Sequence, residues 1–236
     1  MSLWRFCPKY NLHSGYAGVV SSTGGPLVAK LGVVIPQRTG DTVVIPLHAQ
    51  LLCAFANTLD VDVDADPPEA LPNPAALTSW LDEHRLLNDD AHANGRDLDI
   101  ALTLRSGLRE AMALHNVRDD TSSVPALDAA ARTLPLHVVF DGTRPRLAPM
   151  VSGALGGLAR LLVAIAETQA DGTWERLKLC GADDCLLAFY DKSKNRSRHW
   201  CSMGECGNRQ KTRNYRIRQR TSQKNRDQMD DAERVP

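Results

Sequence analysis

The stretch Cys180–Cys206, CGADDCLLAFYDKSKNRSRHWCSMGEC, governs how the rest of the chain is read, because its four cysteines, Cys180, Cys185, Cys201 and Cys206, are spaced C-x4-C-x15-C-x4-C. Zinc takes four thiolate or imidazole ligands in a tetrahedron, and two short cysteine pairs joined by a loop of this length can each supply one edge of it. With all four positions filled there is no vacancy for water or substrate, so such a site folds its segment and does no chemistry. One structural Zn2+ is the expected cofactor. Two alternatives stay open on spacing alone. Paired disulfides would need an oxidising compartment, and residues 1–46 show neither the charged and apolar regions nor the small-residue cleavage site of a secretory leader, so a cytoplasmic location is expected. His199, two residues before Cys201, could stand in for one cysteine.

Working outward, WERLKLC alternates and is expected to be a strand delivering Cys180, with LLAFYD as a second strand and the first cysteine pair at the turn between them. Phe189 and Tyr190 would pack beside the metal. Trp200 would cover it, or else stack on a base. The loop Asp191–Arg198 is polar and basic, with Lys192, Lys194, Arg196 and Arg198. After Cys206 comes GNRQKTRNYRIRQR, which has no proline. If it is helical from Asn208, then Arg209, Arg213, Arg216 and Arg220 fall at i, i+4, i+7 and i+11 on one face, with Lys211 close by. Surface helices commonly intersperse acids for i,i+4 pairs, and this one has none. Such guanidiniums repel one another unless a polyanion neutralises them, and each phosphate neutralised also releases counterions. Some of these bases would instead offset the net −2 of a zinc-tetrathiolate. Base reading would fall to Asn208, Arg209 or Arg213, since Asn can bond adenine, and Arg guanine, bidentately.

Charge over the whole chain agrees. The 236 residues carry a formal net charge of zero, yet Lys192–Arg226 holds twelve Lys or Arg against one acid, Glu205, leaving the remainder at −11. Cationic surface gathered in one place suits a polyanion, with DNA the expected partner and RNA an alternative. A third reading docks the basic segment on an acidic protein surface or on the chain's own body. No run of eighteen apolar residues exists, so no membrane partner is expected, and a homo-oligomer is compatible with the composition.

Upstream, Gly15–Pro46 alternates β-rich stretches with Gly and Pro and is expected to hold two or three short strands. From Leu47 the period turns helical, with Leu51, Phe55 and Leu59 on one face, and Asp60–Asn73 reads as an acidic, proline-rich loop. Asn73-Pro74 is a cap and first turn for a helix carrying Leu77, Trp80, Leu81 and Leu87. A longer helix over Asp97–His115 is set by Ala101, Leu104, Leu108, Ala111 and His115. Ser123 and Pro125 open a short helix through Leu134, and LHVVF and RLAPM form a hairpin around Asp141-Gly142. Val151, Leu155, Leu158, Leu162 and Ile165 mark a last helix before Asp171-Gly172. Gly153, Gly156 and Gly157 within it would permit close helix packing. The fold class expected is α+β, a mostly helical body with short strands followed by a small zinc finger of hairpin and basic helix. Neither a phosphate loop, a dinucleotide fingerprint, H-E-x-x-H nor G-x-S-x-G occurs, so no catalytic residue is named and no enzymatic activity is expected.

The residues Cys180–Lys211 closely resemble the CGNR zinc finger, whose Cys-Gly-Asn-Arg stands here as Cys206, Gly207, Asn208 and Arg209. Asp191, Ser193, Asn195, Arg196, Ser197, Arg198, Trp200 and Cys201 fit the same pattern. The resemblance implies that the cysteine quartet binds zinc and that the bases contact DNA. The stretch Leu51–Leu59, LLCAFANTL, resembles the L-C-L-D-F-x-N-T phrase that opens an ABATE domain, with Ala54 in place of its aspartate. Together these imply a bacterial DNA-binding transcriptional regulator, in a family sometimes described as stress-induced. Its parts would be a β-rich segment over 1–46, an ABATE-like α+β domain over 47–170 that senses a signal or binds a partner, a CGNR finger with basic helix over 174–222, and a disordered tail over 223–236. The alternative is an RNA-binding or protein-interaction zinc module.

Overall fold

The computed structural model describes residues 33–35, 43–59, 69–87 and 90–232, with no side-chain description at 33–35, 43 and 223–232. The chain divides into two units, 1–47 and 48–236. In the first, β1 (Val33–Ile35) pairs antiparallel with β2 (Val43–Ile45), Val33 opposite Ile45. The rest of the strand-rich segment expected over 15–46 lies outside the described residues, as does the greater part of the loop expected over 60–73.

The second unit is the mixed, mainly helical body that its periodicities predict, carrying a cysteine cluster near its end. α1 (Leu47–Ala56) buries Ala49, Leu52, Phe55 and Ala56. Of the expected stripe of Leu51, Phe55 and Leu59, Phe55 is buried, Leu52 is buried in place of half-buried Leu51, and Leu59 lies past the helix end at Ala56, where it bridges Glu69. α2 (Pro74–Glu83) starts as its sequence dictates: the Asn73 side chain accepts from the Ala76 amide at 2.9 Å, and Pro74 fills the first turn, where no amide is needed. It ends at Glu83, so Leu86 in the following segment is buried, not Leu87. α3 (Gly95–Val117) opens on a capping box in which Asn94 and Asp97 exchange side-chain and backbone bonds, and it buries Ala101, Leu104, Leu108 and Ala111 as expected.

α4 (Pro125–Thr133) lies against α3, where a Cβ on Gly107 would fall 2.6 Å from the Leu127 nitrogen. Its first residue follows Val124, and Ser123 makes no cap. β3 (Leu136–Asp141) and β4 (Arg144–Pro149) form the expected hairpin, with Gly142 at φ 61° in the turn. α5 (Gly153–Ala170) buries a small-residue face, including Ala154, Gly156, Gly157, Leu158 and Leu161, while Leu155, Leu162 and Ile165 are half-buried. Gly157 sits so close to α2 that a Cβ there would lie 3.0 Å from the Leu86 carbonyl oxygen and 3.2 Å from Leu81, which supports reading this glycine cluster as a packing device. His48, at the start of α1, meets Asp171 at 2.7 Å and Glu167 at 3.6 Å, tying α1 to the end of α5. Among the described residues no helix is long and apolar enough to cross a membrane.

The last part follows α5 directly. A 3-10 turn (Trp174–Arg176) leads into β5 (Leu177–Leu179), which pairs antiparallel with β6 (Ala188–Tyr190). A π-type turn (Met203–Gly207) then feeds α6 (Asn208–Ala232). The helix therefore runs well past Ser222, and of the tail expected over 223–236 the backbone is helical to Ala232; residues 233–236 lie outside the described set.

Candidate metal centre and nucleic-acid interface

β5 and β6 bring the first cysteine pair together. Cys180 leaves β5 with its amide bonded to the Leu187 carbonyl at 2.8 Å, and the turn closes through Cys185 N to Ala182 O at 3.0 Å, with Leu186 at a positive φ of 47°. The second pair comes from the returning loop and the π turn, where Ser202 caps the Glu205 amide. All four sulfurs lie within 4.8 Å of one another; Cys185 to Cys201 is 3.7 Å and Cys201 to Cys206 is 3.6 Å. A tetrahedron with zinc–sulfur bonds of about 2.3 Å has edges of about 3.8 Å, so the sulfurs stand where zinc would place them.

Electrostatics point the same way. Hydrogen bonds from Cys185 and Cys201 hold the Cys180 thiol far below the usual thiol range. Contacts with Cys180 and Cys185, then burial, push Cys201 far above it. Four thiolates packed this closely repel unless a dication neutralises them. The donor set is all sulfur and mostly buried, which suits one structural zinc ion and leaves no ligand position for chemistry. His199 is not a ligand: its ring lies over Gly181, where a Cβ would fall 2.4 Å from Nε2, and it meets Trp200 edge-on at 5.1 Å. Phe189 and Trp200 pack against the cysteines as expected. Strand alternation turns Tyr190 away, opposite Leu177, and it is not part of that cluster. Gly207 admits the cover, since a Cβ there would lie 2.5 Å from Met203 Sδ and 3.5 Å from the Trp200 ring.

β5 is not the alternating strand expected, because all three of its residues are buried. Lys178, in the middle, is 3% exposed and pairs with fully buried Asp191 at 3.0 Å. Its ammonium also donates to the carbonyls of Arg196 and Arg198. Asp191 accepts from Ser193 N and Oγ and from Arg198 N. The basic loop is thus folded around one buried ion pair, and the signal for it was a lysine inside an otherwise apolar strand.

The predicted nucleic-acid residues divide into two groups. Arg196 meets Glu175, Arg198 lies over the Phe189 ring at 5.6 Å and donates to the Cys201 carbonyl, and Arg209 pairs with Asp184 at 3.0 Å while donating to Cys206 Sγ at 3.5 Å. Arg198 and Arg209 are thus engaged by the metal site and its hairpin, and Arg196 by the 3-10 turn that precedes them. Burial and neighbouring Arg198 push the half-buried Lys192 ammonium below the usual lysine range. Asn208 donates to the Gly204 carbonyl at 3.2 Å. Lys194, Lys211, Arg213, Arg216 and Arg220 are exposed, Arg213 with a 3.8 Å contact to Asp183 that solvent weakens. Arg209, Arg213, Arg216 and Arg220 lie together with Thr212 and Ile217 on one exposed face of α6, as their spacing requires. Arg218 was not singled out by that spacing and is exposed on the same helix.

The finger is bonded into the helical body. Asn57 exchanges two hydrogen bonds with Ala188 of β6. Arg109 donates to Ala56 O, Leu59 O and Leu186 O, while Asn116 donates to Leu179 O and His199 O, and His115 Nδ1 meets Leu177 O at 2.8 Å. None of these four was visible as a site residue in the sequence. His115, on the apolar stripe of its helix, is satisfied by this bond and by an edge contact with Trp174.

Comparison with known families agrees with both parts of this arrangement. The CGNR zinc finger family matches residues 176–219, and the ABATE family, described as "Putative stress-induced transcription regulator", matches residues 49–171. No curated protein matches the chain. With more than half of its length matched by one family and its cysteine cluster by the other, the chain belongs to the ABATE family and carries a CGNR zinc finger.

Proposed function

We propose that this protein is a DNA-binding transcriptional regulator in which α6 and the basic loop grip the duplex while the ABATE body receives a signal or a partner. The observation that carries the reading is the state of α6. From Lys211 to Ser222 every residue is exposed, no acid occurs between Asn208 and Arg226, and four arginines share one face. A helix of this diameter fits the major groove. Arg213, Arg216 and Arg220, with Lys211 and Lys194, are the residues assigned to phosphates, and Ile217 within the basic face could meet a thymine methyl group. Arg198 and Arg209 shape the finger in this reading, and base contact passes from Arg209 to residues further along α6.

The body is assigned no catalysis: its buried cations, Arg105 on Glu69 and Arg109 on three carbonyls, hold elements together. A reducing cytoplasm suits thiols kept for zinc.

The test is duplex binding by the zinc-loaded protein across a salt series, beside a variant with Arg213, Arg216 and Arg220 changed to Ala. The reading expects a steep fall of affinity with salt, and a slope shallower by about three for the variant. Absence of binding at low salt would refute it. A folded RNA that outcompetes the duplex would move it to RNA.

A further inference from the structure

We propose that the β3–β4 hairpin is a self-association surface, whose apolar face receives the same face of a second copy of this chain. In the observed register Leu136, Val138 and Phe140 stand opposite Pro149, Leu147 and Pro145. Residues directly opposite in an antiparallel pair point to the same side. One side of the hairpin is therefore wholly apolar, while the other carries His137, Val139, Asp141, Arg144, Arg146 and Ala148.

A two-stranded sheet with one face in water should turn its polar side outward. Here the apolar side is open as well: Phe140 is 70% exposed, Val138 57% and Leu147 37%. Elsewhere among the described residues of this unit, large exposed apolar side chains stand singly, as Val117 does on α3, or among cations, as Tyr215 and Ile217 do on α6.

Three considerations choose a second copy as the occupant. Four exposed side chains, Val138, Phe140, Pro145 and Leu147, with half-buried Leu136 and Pro149, leave on the order of 500 Å² open per copy, so two faces in contact remove about 1,000 Å², the lower bound of a specific interface. The face carries no charge that would select an acidic or basic partner, and it matches itself across a twofold axis, as an isologous contact requires. Addition of a foreign strand along β4 is disfavoured. The Met150 amide bonds the Pro135 carbonyl, which sets the alternation so that Pro145, Leu147 and Pro149 turn their backbone nitrogens away from β3. Two of those three nitrogens are proline and cannot donate. The β4 edge therefore does not extend the sheet, and its side chains are left to stack by their apolar face.

The proposal is independent of nucleic-acid binding and is tested without it. Light scattering of the zinc-loaded full chain at tens of micromolar should give twice 25.9 kDa. Val138→Asp with Phe140→Asp should return it to one chain, and Arg146→Glu on the opposite face should leave the dimer intact. Hydrogen exchange on the unsubstituted protein gives a readout that needs no variant: amide protection across 136–149 should rise with concentration. A monomeric unsubstituted protein, a dimer indifferent to the double aspartate variant, or protection that does not change with concentration would each overturn the proposal.

Discussion

Asn57 of the ABATE motif behaves as one more strand residue beside the zinc hairpin. Its Nδ2 donates to the Ala188 carbonyl at 2.9 Å, and its Oδ1 accepts from the Ala188 amide at 2.7 Å. The side chain thus satisfies both backbone groups of a buried residue at the open edge of β6. Asn57→Ala leaves both unpaired at a cost of about 2–4 kcal/mol, a fall in melting temperature of roughly 5–12 °C for a unit of this size. Zinc should also leave faster when a chelator is added. A variant that melts and releases zinc like the parent would show that the body and the finger are not coupled through this residue.

The Lys178–Asp191 pair lies where charge is costly, and removing one member strands the other. Lys178→Met should destabilise by about 3–5 kcal/mol, because Asp191 would stay buried without its cation. Lys178→Met with Asp191→Asn should cost less than the single change. Denaturant unfolding of Lys178→Met, Asp191→Asn and the double variant tests this, and a double variant that costs at least the sum of the two single changes would rule out pair formation as the source of the effect.

Metal removal should act locally before it acts globally. The cysteines close the β5–β6 turn and the entry to α6, whereas the cores of α2, α3 and α5 are filled by Leu77, Leu81, Leu104, Leu108, Leu158 and Leu161. One zinc per chain is expected by a colorimetric release assay. After chelation, amide protection should vanish first over 180–207, with α2 and α3 still protected. Loss of protection everywhere at once would mean that zinc supports the whole unit.

The sequence displayed these parts unequally, for physical reasons. The Asn73-Pro74 start and the Asp141-Gly142 turn are complete within a few residues, the cysteine spacing is a fixed pattern within one segment, and the structure uses each of them. Phe55 and Leu158 face inward as their stripes require, whereas Leu51, Leu155 and Leu162 give way to Leu52, Ala154 and Leu161, because tertiary packing, such as Gly157 of α5 against Leu86, chooses which residues face inward. Lys178, Asn57 and Asn116 act on partners far along the chain, and no local period marks such a pairing. The arginines were legible as a charge pattern. Which of them serve the metal site became visible only when Asp184 and Phe189 were seen beneath Arg209 and Arg198.

His115 makes stability depend on pH in a defined direction. Burial pushes its imidazolium below the ordinary histidine range, against the bond to Leu177 O, which favours the protonated ring. The unfolded chain therefore binds the proton more readily near pH 6, so this group's contribution is complete above the unfolded value of about 6.5 and is lost as pH falls through the lowered folded one. Zinc ligands also protonate in acid, so the measurement is the difference between parent and His115→Gln. The parent should lose more melting temperature than the variant between pH 7.5 and pH 6. An equal loss would assign the acid sensitivity to the cysteines.

The exposed helix α6 should be only marginally formed until a polyanion is present. Arg209 with Arg213 and Arg216 with Arg220 are like charges at i,i+4, each pair opposing the helix by about 0.2–0.5 kcal/mol; Asp184 and Asp183 offset the first pair in part, while the second is exposed. Added salt screens that repulsion, so helical signal at 222 nm should rise with ionic strength while affinity for a duplex falls. Arg216→Glu separates the two effects. Placed four residues before Arg220 and three after Arg213, the glutamate gains two favourable pairs and should raise helicity in the free protein. It should nevertheless weaken duplex binding, since it removes a phosphate contact and adds a repulsive charge on the same face. If Arg216→Glu bound the duplex as tightly as the parent, helix formation and not phosphate contact would be what these arginines limit, and α6 would lose its place as the gripping surface.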